Sequence, residues 1–129
     1  MSGDNDLNVQ GFLDDYFAES DEHLTVATRI LLALESLTGN PAAEGAAIEE
    51  LFRAFHSLKG ISAMVGFHSV EQLSHHIESY LRAVRDREIL ISTEGIETLI
   101  DATQRLEQIL AAQRFKQPEP PTDDVAARV

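Results

Sequence analysis

Apolar residues recur along this chain at helical rather than strand spacing. Between Val9 and Leu37, the residues Leu13, Phe17, Leu24, Leu31 and Leu34 return at intervals of three, four or seven, and Tyr16, Ala27 and Ile30 widen the stripe. The run "TGNP" at 38–41 ends this helix, because Gly39 and Asn40 tolerate left-handed backbone and Pro41 cannot continue the hydrogen-bond ladder. A second helix is predicted from Ala42 to Val65, closed by Gly66, with Ile48, Leu51, Phe55, Leu58, Ser62 and Val65 facing inward. The third opens near Ser69, with Glu71 and Gln72 in its first turn. It buries Val70, Leu73, Ile77, Tyr80, Leu81 and Val84 and frays in "RDRE". Ile89, Leu90 and Ile91 would suit a short strand, but no partner strand exists in the pattern, so they are read as a loop packed under the helices. "STEG" then starts a fourth helix striped by Ile96, Leu99, Ile100, Thr103, Leu106, Ile109 and Leu110.

Four amphipathic helices with short connections predict an all-α fold, an antiparallel up-down-up-down four-helix bundle. The bundle is expected over residues 9–114, preceded by a flexible N-terminus at 1–8. Residues 115–129 hold three of the four prolines and several acids, which reads as a tail or an interdomain linker of a longer protein. At 129 residues, one domain with a single core is expected, and the stripes suffice for a monomer. There is no internal repeat.

Charge and composition narrow the function. Ten Lys and Arg against 22 Asp and Glu give a net charge of −12, which argues against nucleic acid and against anionic lipid. The absence of cysteine removes disulfides, thiolate metal sites and cysteine catalysis. No apolar run approaches the roughly 20 residues that span a bilayer, so membrane insertion is not expected. "MSGDNDLNVQ" lacks the basic-then-apolar order of a secretory signal, and the cytoplasm is the default expectation.

The second helix carries the candidate chemistry. At about 100° per residue, His56 lies roughly 130° from the centre of the face made by Leu51, Phe55 and Ser62, so it is no core histidine. Lys59, Gly60, Ala63 and Phe67 fall on its side, with Phe52 at the border. Gly60 weakens the helix by about 1 kcal/mol against Ala, and its presence is explained if another molecule must approach the His56 ring closely. On the third helix His75, Glu78 and Arg82 share one flank and His76 lies on the other, so antiparallel packing puts Glu78 within reach of His56. A carboxylate that accepts one ring N–H fixes the tautomer and leaves the other nitrogen as a nucleophile. A nearby lysine would favour a phosphoryl group once attached.

"FRAFHSLKGISAMVGF" followed by "LSHHIESYL" resembles the histidine phosphotransfer (HPt) domains of two-component signalling, and in particular the amino-terminal P1 domain of chemotaxis-type (CheA-like) histidine kinases. "FLDDYFAESDEHL" is similar to the opening helix of that subclass, so the resemblance spans nearly all of the helical chain. It implies that His56 accepts a phosphoryl group from an ATP-binding kinase domain, in cis or in trans. His56 then passes the group to an aspartate of a response regulator, a receiver domain of the CheY type. It further implies that Lys59 assists transfer, that Gly60 gives access, and that His75 and Glu78 complete the network, with Glu78 holding the ring. The domain itself would bind no cofactor, ATP and Mg²⁺ belonging to the partner domains. Ile61, Met64 and the doubled His75–His76 depart from the pattern, and Arg82 is placed to draw Glu78 away from His56. Receiver recognition is expected on Phe52, Ala63 and Phe67 around the exposed ring, with Lys59 at its edge.

Other readings are weaker. Bundle metal sites need inward Glu or His on several helices, whereas these stripes are almost wholly apolar and His23 and His68 read as surface or helix-end residues. No serine sits in a nucleophile elbow, and there is no P-loop or kinase glycine loop, so autonomous catalysis is not expected. A non-catalytic helical docking module predicts the same fold but would tolerate His56→Gln.

Overall fold

Helix boundaries follow local capping chemistry. In the computed structural model, which describes the backbone of residues 2–37 and 39–129 and the side chains of 9–37 and 39–129, five α-helices occur and no strand is present among the described residues. They are α1 (Ser2–Leu34), α2 (Pro41–Val65), α3 (His68–Arg85), α4 (Thr93–Arg114) and α5 (Asp123–Arg128), with a 3₁₀ turn at Glu35–Leu37 after α1. Asn40 caps α2 by accepting from the Ala43 N–H at 3.2 Å, and Pro41 takes the first position, where its missing N–H costs nothing. Gly66, at φ +80°, closes α2 in the left-handed conformation and donates back into its last turn. Ser92 caps α4 by accepting from the Gly95 N–H at 2.9 Å.

The four long helices contact one another in a closed ring, α1 to α2, α2 to α3, α3 to α4 and α4 to α1. With short links between consecutive members, this is the antiparallel bundle expected from the stripes. Leu24 and Leu31 of α1, Leu51, Phe55 and Leu58 of α2, Leu73, Ile77 and Leu81 of α3, and Leu99, Leu106 and Ile109 of α4 are all essentially inaccessible. Each such side chain contributes about 1.5–3 kcal/mol relative to exposure. Ser62, the polar member of the α2 stripe, is satisfied by the Tyr16 hydroxyl at 2.8 Å, a buried link between α1 and α2.

Three expectations are corrected. The first helix begins at Ser2, not Val9, so the segment expected to be a flexible N-terminus continues α1; Met1 lies outside the described residues. In the α3–α4 connection only Ile91 packs on the core, while Ile89 and Leu90 are exposed. The C-terminal segment is not a bare tail. It folds back to form α5, burying Val125, and Arg105 of α4 donates to the Pro121 carbonyl and the Asp124 carboxylate while Arg128 pairs with Asp101 at 2.9 Å. A proline-rich approach hid one well-placed valine.

Candidate functional site

The phase of α2 that sends Phe55 and Leu58 inward leaves His56 on the outside, with 61% of its side chain exposed. Facing it from α3 is Glu78, whose position four residues after Ser74 and three before Leu81 places it on the buried side of the helix. Its side chain is wholly inaccessible. A carboxylate removed from water must be compensated, and here both oxygens are. The His56 Nδ1–H donates to Oε2 at 3.2 Å, the Lys59 Nζ donates to the same oxygen at 2.8 Å, and Arg82 donates to Oε1 at 2.7 Å. Arg82 therefore does not compete with His56, as the sequence suggested; the two bind different oxygens.

Because an ionised carboxylate can only accept, Nδ1 of His56 carries a proton, so in the neutral ring Nε2 is the nitrogen with the free lone pair. Phe52, one turn earlier on α2, lies parallel to the His56 ring at 8° with centroids 5.9 Å apart. The Arg85 and Arg82 guanidinium carbons lie 4.4 Å and 5.6 Å from the Phe52 centroid. Residues 52–85 carry four Lys and Arg against two Asp and Glu, one of the acids being the buried Glu78, so this stretch is basic in balance within an acidic chain.

Burial alone would raise the Glu78 pKa, but the hydrogen bonds and charges of Lys59 and His56 outweigh it and hold the carboxyl below its ordinary 4.5. A lowered folded pKa contributes stability that is complete above the unfolded value and lost as pH falls through the folded one. The difference in melting temperature between the parent domain and Glu78→Gln is therefore expected to be full at neutral pH and to shrink once pH drops below 4.5. Thermal melts of both proteins from pH 7 to about pH 3 check this.

Other expected site residues are placed less uniformly. A Cβ built on Gly60 meets nothing within 4 Å, so nothing in this chain requires a glycine there. Ala63 is exposed on the same flank. Phe67 is not on the His56 patch: it precedes α3 and packs edge-on against Tyr16 at 5.2 Å and stacks on Phe17 at 6.1 Å, half-buried at the end of the bundle. Helical phase put it beside His56 only if α2 continued past Gly66, which it does not. His75 is exposed and does not hydrogen-bond to His56 or Glu78. It lines a shallow surface depression with Lys59, Glu71, Gln72 and His76, its ring 6.3 Å from that of His76. Sequence reasoning missed Arg85 and the depth of Glu78; the buried spacing Val70, Ser74, Ile77, Glu78, Leu81 was the available signal for the latter. Among the described residues no group of three or more His, Cys, Asp or Glu could hold a metal ion, and no helix is long and apolar enough to cross a membrane.

Residues 11–112 match the Hpt domain family. The chain is 31% identical over 104 residues to the chemotaxis protein CheA of Bacillus subtilis, covering 81% of this chain and 15% of that protein. It is 32% identical over 99 residues to the CheA of Listeria monocytogenes, covering 77% and 15%. This chain thus spans about one-seventh of those relatives' length. In three dimensions it is similar to the phosphorylated P1 domain of CheA3 from R. sphaeroides, solved in complex with CheY6, with a TM-score of 0.79, 26% identity, and coverage of 92% of this chain and 91% of that one.

Proposed function

Since this chain belongs to the Hpt domain family, we propose that His56 is its phosphoacceptor, loaded by an ATP-binding kinase domain in cis or in trans and discharged to a receiver aspartate of the CheY type. The observation that carries this reading is the exposed imidazole whose Nδ1–H is held by a buried carboxylate, leaving Nε2 free. In loading, the Nε2 lone pair attacks the γ-phosphorus of ATP, an Nε2–P bond forms, and the P–O bond to ADP breaks. The positive charge gained by the ring faces Glu78 through Nδ1–H. In transfer, an aspartate oxygen attacks phosphorus and Nε2 leaves as neutral imidazole. ATP and Mg²⁺ sit on the partner domains. The domain acts as a monomer in the cytoplasm, where ATP and receivers meet it.

Incubation with labelled ATP and a chemotaxis-type kinase core tests the reading. Label that is acid-labile and alkali-stable, and that moves to a CheY-type receiver, is the expected result; acid-stable label or no transfer to any such receiver would overturn it.

Gly60 supplies a separable prediction. Gly60→Ala is expected to stabilise the helix by up to about 1 kcal/mol, since the added methyl meets no neighbour in this chain. The same methyl stands one turn from His56 and is expected to slow receiver discharge. Thermal melts and single-turnover transfer on one preparation would show the two effects in opposite directions, and unchanged transfer would remove the access role.

A further inference from the structure

Lys59 and His56 share one oxygen of Glu78, and that arrangement conflicts with what loading requires. A phosphoryl group on Nε2 brings two negative charges to a ring one turn from Lys59, whose ammonium lies on the same Glu78 oxygen as the ring's Nδ1 and is the cation suited to meet them. Yet Lys59 is committed to a carboxylate with no solvent exposure, and withdrawing a cation from such a group is strongly unfavourable unless another stays. Arg82 is that other cation. It holds Oε1 at 2.7 Å, the oxygen that neither Lys59 nor His56 uses, from the same helix one turn on, and its guanidinium also faces the Phe52 ring.

We infer that Arg82 is the standing counter-ion of Glu78, which releases Lys59 to the phosphoryl group while Glu78 keeps its charge and its hold on His56. Arg82 is then a positioning residue that acts through Lys59. This inference rests on the phosphoacceptor reading of His56. It gives the three ions distinct duties: Glu78 orients the ring, Arg82 keeps Glu78 ionised and anchored, and Lys59 is free to change partner.

The test compares loading rates of the parent domain, Arg82→Gln, Arg82→Lys, Lys59→Gln and the Arg82→Gln/Lys59→Gln double variant, each checked by thermal melt. Arg82→Gln is expected to load about tenfold more slowly, with Arg82→Lys recovering most of the rate because it restores a cation. The double variant is expected to lose less than the product of the two single losses, since the share of the Arg82 effect that comes from releasing Lys59 disappears once Lys59 is gone. A merely structural ion pair would give losses that multiply in the double variant, or would leave Arg82→Gln unfolded; either result overturns the inference, as does an Arg82→Gln domain that loads at the parent rate. Failure of the parent domain itself to accept phosphate would sink the phosphoacceptor reading instead, so the two failures are distinguishable.

Discussion

His56→Gln is expected to fold and melt as the parent domain does while accepting no phosphoryl group at all. The imidazole is mostly exposed and makes one hydrogen bond, so its removal takes little packing with it. Glu78 retains Lys59 and Arg82, so no bare buried charge is created. The stability change should fall within about 0.5 kcal/mol, the range of surface substitutions away from special features. The chemistry has no such reserve. A glutamine amide can reach the same carboxylate through its N–H, but its nitrogen lone pair is delocalised and does not attack phosphorus. Of the other histidines on α3, His75 and His76 are exposed without such a carboxylate partner, and His68 meets only the surface carboxylate of Glu71, at 3.4 Å, with none of the buried network around Glu78. Labelled ATP with a kinase core, read beside the melting temperature, checks both halves. Label persisting in a folded His56→Gln domain would remove His56 as acceptor and return the docking-module reading.

The helices and the outward face of His56 were legible because both rest on periodicity. A stripe at three- and four-residue spacing states which side of a helix is inside, and His56 fell outside the α2 stripe while Glu78 pointed at the same neighbour. What periodicity could not carry is anything past the end of a helix. Phe67 was assigned to the His56 patch by extending α2's phase through Gly66, but the left-handed Gly66 breaks that phase and turns the ring onto Tyr16 and Phe17. The same limit hid α5, where one valine and two arginine contacts to α4 order a segment whose composition alone suggests a linker. His75 shows a different limit. Its phase is compatible with the site, but reaching His56 depends on side-chain direction across the helix pair, which spacing does not encode. Arg82 was read correctly as a partner of Glu78 and incorrectly as a rival of His56, because a sequence does not show that a carboxylate has two usable oxygens facing opposite ways.

Glu78→Ala is expected to damage stability and chemistry together, and the size of each loss follows from the geometry. Removing one partner of a buried ion pair typically costs about 3–5 kcal/mol when the other is left without water. Here the orphaned groups are less trapped, since about a quarter of the Lys59 side chain and half of the Arg82 side chain are exposed. We therefore expect a loss of about 2–3 kcal/mol, part of it from the cavity left beside Ile77 and Leu81. The rate should fall too, for a separate reason. Without a carboxylate on Nδ1–H, the ring loses its fixed tautomer and orientation, and the positive charge developing during attack faces two uncompensated cations. Losing a hydrogen bond to a charged group in that setting corresponds to roughly 10²-fold in loading rate. Glu78→Gln separates the two contributions: its amide oxygen still accepts from Nδ1–H and fills the cavity, so stability should recover in large part while the rate stays well below the parent's. Denaturant melts and single-turnover loading on the parent, Glu78→Gln and Glu78→Ala would test this order. A Glu78→Ala domain that folds less stably yet loads at the parent rate would make Glu78 a structural ion alone and leave the reactivity of His56 to its exposure.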